Sequence, residues 1–146
     1  MIRISAAATI DATPDAVIEF LADPANATAW TRALDEAELI TPGPIRAGSR
    51  FREVQSAGGQ RIESICEISE YEPGWRYAWR NVDEGPAQYG GGFTATATAD
   101  GGTDLRYEGW ATLSGELAGR ERAWERQAQR ESNAELAAIK AAIERR

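Results

Sequence analysis

Ile2, Ile4, Ala6, Ala8 and Ile10 share one parity along the start of the chain, the period-two signature of a strand with one buried face. The period then changes. Thr13 ahead of Pro14 supplies an N-cap and a first helical residue, and Val17, Phe20 and Leu21 follow at helical spacing as far as Asp23-Pro24. Asp23-Pro24 repeats the start signal for a second short helix carrying Ala27, Trp30 and Leu34. From about Glu36 the chain is strand-rich, cut by Pro42-Gly43-Pro44, Gly58-Gly59, Pro73-Gly74, Gly85-Pro86 and Gly101-Gly102, which read as hairpin connections. After Thr112 the helical period returns, with Leu117, Trp124, Ala128, Leu136, Ile139 and Ile143 on one stripe. This order predicts an α+β domain.

Turn chemistry fixes which side chains face inward. A two-residue turn at Gly58-Gly59 sets Phe51 opposite Cys66, Glu53 opposite Ser64 and Gln55 opposite Ile62. The other face then carries a ladder of alternating charge, Arg50, Glu67 and Arg80, as a solvent face should. A turn at Pro73-Gly74 sends Tyr77, Trp79 and Asn81 inward. For the last hairpin, a loop Asp100-Gly101-Gly102 with Gly102 left-handed places Phe93, Ala95 and Ala97 opposite Gly109, Tyr107 and Leu105. The inward set mixes large aromatics with small residues and a few polar groups, the usual make-up of a ligand pocket. A long helix filling the same space is the plainer alternative.

With 146 residues and no apolar run of membrane-spanning length, the sequence reads as one domain over residues 1–146 with no membrane insertion. Its alternating start argues against a signal peptide, so a cytoplasmic location is expected. The net charge of -7 makes nucleic acid a poor partner. One cysteine and no histidine exclude an internal disulfide, a conventional zinc site and a histidine general base. No cofactor is expected.

Several segments together resemble the START-like, or polyketide cyclase/dehydrase (SRPBCC), superfamily that includes the Bet v 1-type allergens. They are Ile10 to Val17, Leu21-Ala22-Asp23-Pro24 to Trp30, Gly48-Ser49-Arg50-Phe51, Tyr71-Glu72-Pro73, Gly101-Gly102-Thr103 and the closing helix with Glu135-Leu136 and Ile139-Lys140. The resemblance covers the whole chain. It implies a helix-grip fold: a curved seven-stranded antiparallel sheet around a long C-terminal helix, two short helices after strand 1, and a hydrophobic cavity between sheet and helix. It also implies a choice among apolar-ligand binding, aromatase/cyclase chemistry and protein partnership of the Hsp90-activator kind, which fold alone does not make.

Glu53 is the leading candidate for chemistry. Strand parity sends it inward beside Phe51, where burial without a cation would raise its pKa and make it an acid or base near neutrality; solvation at an open cavity end, or a bond to Ser64, is the alternative. Tyr77, Tyr89 and Tyr107 are neutral donors able to face a ligand oxygen. Gly90-Gly91-Gly92 could bulge and change the parity of Tyr89, and it lacks the lysine of a phosphate loop. Trp30, Trp124 and Ala128 should face the cavity from the helical side. Ser64, Cys66, Trp79, Asn81, Phe93 and Gln55 complete the expected ligand-binding set with Phe51. Trp110, on the outward parity, is a candidate contact for a second copy in a homodimer. The run Arg120, Glu121, Arg122, Glu125, Arg126, Arg130 and Glu131 reads as a solvated helix face. Arg50, Arg52, Arg76, Arg80 and Arg106 all face outward, which leaves the cavity arginine of cyclase-type relatives without a position here. Lys140, the only lysine, lies too near the end of the helix for a Schiff-base role. The leading expectation is a module that binds a mostly apolar small molecule, a lipid, polyketide or similar, with Glu53, Tyr77 and Tyr107 at its polar end. The alternative is a cyclase or dehydratase using Glu53 and the tyrosines.

Overall fold

A computed structural model describes residues 1–31, 33–57 and 59–146 of the chain. Seven strands, β1 (Ile2–Ile10), β2 (Leu34–Leu39), β3 (Arg50–Ala57), β4 (Gln60–Glu72), β5 (Arg76–Asn81), β6 (Ala87–Ala97) and β7 (Thr103–Leu113), form one antiparallel sheet in the order β1-β7-β6-β5-β4-β3-β2. Helices α1 (Pro14–Ala22) and α2 (Ala27–Trp30) follow β1, and α3 (Glu121–Glu144) closes the chain. This is the helix-grip arrangement, with an unclosed sheet.

Local chemistry accounts for the starts. The Thr13 hydroxyl accepts from the Ala16 amide at 3.3 Å with Pro14 next in line, and Asp23 caps a single 3-10 turn, Pro24–Asn26, by accepting from the Ala25 amide at 2.9 Å. Edge strand β1 is covered from α3. Gln129 donates to the Ser5 carbonyl at 2.7 Å and Lys140 to the Thr9 carbonyl at 2.6 Å, so carbonyls on the open edge are occupied within the chain.

The central registers follow the turns as expected. Phe51 pairs with Cys66, Glu53 with Ser64, Gln55 with Ile62, and Cys66 in turn with Asn81. Gly59 is left-handed at φ 80°, while Gly58 lies outside the described residues. A bulge at Ser69 absorbs one residue between the Ile68 and Glu70 pairs. No bulge interrupts the glycine run: β6 pairs continuously with β7 from Ala87 to Ala97, which keeps Tyr89 on the inward parity with Gly91, Phe93 and Ala95.

Three expectations are corrected. Leu34 does not belong to the second short helix; it opens β2, and α2 ends at Trp30. The long helix does not begin soon after Thr112. β7 continues to Leu113, Leu117 sits in a 3-10 turn (Gly115–Leu117), and α3 starts only at Glu121. The last hairpin is displaced by two residues, pairing Phe93 with Tyr107 and Ala95 with Leu105. There Thr98 and Gly102 close a three-residue loop, the Thr98 hydroxyl accepts from the Gly102 amide at 3.0 Å, and Gly101, not Gly102, takes the left-handed conformation. A shift of two preserves parity, so the inward faces are unchanged.

Helix α3 divides the interior. Its C-terminal half buries Leu136, Ile139, Ala142 and Ile143 against Ile10, Ile18, Phe20, Ile68, Phe93 and Leu105 from α1 and the sheet, which makes the solid core. Its N-terminal half buries no large apolar residue. There the sheet and helix stand apart.

Candidate functional site

The gap is a cavity of about 630 Å³ between the sheet and the N-terminal half of α3, with α2 along one side. That is within the size range of small-molecule sites. Its floor comes from Phe51, Glu53 and Ser64 of β3 and β4, Tyr77 and Trp79 of β5, Tyr89 of β6 and Tyr107 of β7. Trp30 of α2 and Trp124 and Ala128 of α3 face them. Gln55 lies toward the mouth, where Ile62, Arg120, Ala123 and Gln127 also line the opening and are exposed.

The glycines explain how so many rings fit. A Cβ on Gly91 would collide with the ring and hydroxyl of Tyr107, and one on Gly109 would come within 2.9 Å of that hydroxyl and of Ile4. Tyr107 therefore lies down over two bare stretches of backbone. On the outer face Gly90 does the same for Trp110, whose ring would be 2.9 Å from an added Cβ, and Gly92 for the Arg76 guanidinium. Trp110 is half-buried over Gly90, not a protruding patch. The run is thus a packing device on both faces of the sheet.

Rings form a continuous wall. Phe93 lies behind it, 4.8 Å from Tyr107 and 6.4 Å from the stacked Tyr77, with Trp30 edge-on at 5.7 Å. Trp79 meets Tyr89 edge-on at 6.1 Å, and Tyr89 meets Trp124 at 6.4 Å. Burial pushes the phenols of Tyr77 and Tyr107 up, more than enough to keep both protonated at neutral pH. Neither phenol makes a hydrogen bond among the described residues, and the buried indole N–H of Trp30 has no partner. An unmet buried donor costs about 1–3 kcal/mol. These donors are available to an acceptor brought in from outside.

Glu53 is an ionisable group on the cavity floor that titrates near neutrality. Burial raises its carboxyl to about 7, opposed only by the Cys66 thiol, which donates to Oε1 at 3.8 Å. Across the strand pair lies Ser64, which shares a hydrogen bond with Tyr89. Cys66 itself is fully buried, with its thiol pushed far up by burial first and by Glu53 second, so it is no nucleophile.

Eleven of the fourteen residues expected from sequence therefore line the cavity, and three stand behind it. Cys66 is covered, Phe93 belongs to the core, and Asn81 serves the backbone, donating to the Ala87 carbonyl at 3.3 Å and accepting from the Tyr89 amide at 2.8 Å. Missed were Arg120, just ahead of α3, and the α3 positions Gln127, Glu131, Ser132 and Glu135, which all line the space. The four-residue spacing of Gln127, Glu131 and Glu135 is the available signal, since it runs beside the apolar stripe. The expected solvated face loses Arg120 and Glu131 to the cavity.

Sheet arginines point away. Glu67 bridges Arg50 at 3.1 Å and Arg80 at 2.9 Å, Arg52 meets Glu63 at 2.6 Å, Arg76 meets Glu70 at 2.5 Å, and Arg106 lies 3.7 Å from Asp104. These are outer-face pairs. Among the described residues Arg120 is the only basic group that lines the cavity, and no helix is long and apolar enough to cross a membrane.

Comparison with known proteins agrees with this architecture. The Zhui aromatase/cyclase from a Streptomyces species superposes with a TM-score of 0.77 at 21% identity, over 99% of this chain and 94% of that one. The di-domain ARO/CYC BexL superposes with a TM-score of 0.80 at 20% identity, over 99% of this chain, which spans 47% of BexL. A conserved protein from Geobacillus kaustophilus gives 0.80 at 18% identity, over 98% and 95% of the two chains. No curated protein matches the sequence. The family model for polyketide cyclase / dehydrase and lipid transport matches residues 1–144, nearly the full length, and the chain belongs to that family.

Proposed function

We propose that this protein binds one mostly apolar small molecule in the cavity under α3, with the polar end of that molecule set by Glu53, Tyr77 and Tyr107. The observation that carries this reading is an aromatic cavity of about 630 Å³ in which the Tyr77 and Tyr107 hydroxyls have no hydrogen-bond partners among the described residues. Apolar area favours entry of a hydrophobic body, and the unmet donors favour one that carries a polar atom at the right depth. Family membership and the aromatase/cyclase structures of like fold support the same ligand class. Titration with the neutral fluorophore Nile red tests it. Saturable binding at one site is expected, together with its loss in Ala128→Trp, which fills the space from α3. Undiminished binding in that variant would remove the cavity from the account.

A second reading has its own observation. A carboxyl at about 7 beside a protonated phenol is suited to proton transfer, so a cyclase or dehydratase reaction could use Glu53 as base and Tyr77 as oxyanion donor. That reading requires turnover that disappears in Glu53→Gln while ligand still binds. Docking of a second copy or another protein on Trp110 has less support, because the ring is half-buried over Gly90.

A further inference from the structure

We infer that the ligand group that meets Glu53 is a protonated amine: the cavity selects an apolar body bearing a primary ammonium, paired with Glu53 and flanked by the rings of Tyr89, Trp79 and Trp124. This rests on the cavity reading above and narrows it to a charge class.

Two features point to a cation. The first is the setting of Glu53, which β3 carries onto the cavity floor. Among the described residues its only polar partner is a thiol at 3.8 Å, and none of them places a basic group beside it. A buried carboxylate without a cation is costly, and an ammonium entering with the ligand would supply one through a charge-assisted hydrogen bond. The sheet cannot supply it, because Arg50, Arg52, Arg76 and Arg80 are held by acids on the opposite face.

The second is the ring cluster. Tyr89 is tied to Ser64, the residue directly across from Glu53, and Trp79 and Trp124 lie 6.1 and 6.4 Å from it. Ring faces beside a carboxylate are suited to an alkylammonium, since each contributes a cation–π attraction where water is excluded.

Calorimetric titration of the full chain at about pH 8 with three probes of one shape decides the matter: a naphthylethylamine, the corresponding naphthylethanol and the naphthylacetate anion. The amine should bind about tenfold tighter than the alcohol, with the acetate weakest, and Glu53→Gln should bring the amine down to the level of the alcohol. Equal binding of amine and alcohol, tightest binding of the acetate, or an amine advantage that survives Glu53→Gln would each overturn the inference. If all three fail while Nile red still binds, the amine inference alone falls. If Nile red fails as well, the cavity reading falls with it.

Discussion

Glu53 and Cys66 sit diagonally across the β3/β4 pair, and the thiol donates to the carboxyl at 3.8 Å, the only hydrogen bond among the described residues that opposes the effect of burial on Glu53. A thiol is a weak donor, so the carboxyl stays protonated to about pH 7. Because the folded value lies above the unfolded one, near 4.5, ionisation is harder in the folded protein. Stability should therefore be undiminished by this group below about pH 4.5 and fall as pH rises toward 7, then level off. Glu53→Gln should remove that decline and leave the variant more stable than the parent by on the order of 2 kcal/mol at pH 8, with little difference at pH 4. Urea unfolding at the two pH values measures it, and a variant destabilised at pH 8 would contradict the assignment.

Tyr107 depends on Gly91. An alanine there must displace the ring that lies over it, at a cost of about 1–3 kcal/mol and with loss of cavity shape. Thermal unfolding of Gly91→Ala should show the cost, and combining it with Tyr107→Ala should show less than the sum of the two single effects, because the clash partner is gone.

The two halves of α3 should respond differently to truncation. Ile139 is fully buried in the core, so Ile139→Ala should cost about 2–5 kcal/mol. Trp124 is half-buried and faces open space, so Trp124→Ala should cost much less stability and instead weaken Nile red binding. Urea unfolding and dye titration on the same two variants separate the roles.

Thr103 is fully buried and its hydroxyl donates to the Ala12 carbonyl at 2.7 Å, which ties the entry of α1 to the start of β7. Thr103→Val keeps the shape and leaves that carbonyl unmet. A loss of about 1–3 kcal/mol is expected in chemical denaturation.

Faces were easier to read than depths. Side-chain parity along β3, β4 and β5 follows from a period of two and from the turns at Gly59 and Pro73-Gly74, so Glu53, Tyr77 and Trp79 were placed inward from residues alone. The last hairpin resisted because its loop is closed by the Thr98 side chain, which no glycine pattern announces. Inward parity also does not say how far an element stands from its neighbour. Phe93 and Cys66 face inward where the space is filled, whereas Gln127, Glu131 and Glu135 reach the cavity because its width exposes a broader arc of α3 than an apolar stripe marks. Leu117 fits the helical stripe by spacing, but Gly115 and Gly119, both left-handed, break the chain on either side of it.

The five tryptophans offer the most direct test of a ligand beneath α3. Trp30, Trp79 and Trp124 line the cavity, Trp110, packed over Gly90, also borders it, and Trp75 is exposed in the β4/β5 turn. In a ¹⁵N-correlated NMR spectrum the indole signals report each ring separately. Titration with a neutral apolar ligand should move the signals of Trp30, Trp79 and Trp124 in step, with one affinity, and leave Trp75 in place. Movement confined to Trp75 would put the ligand outside the cavity and contradict the account.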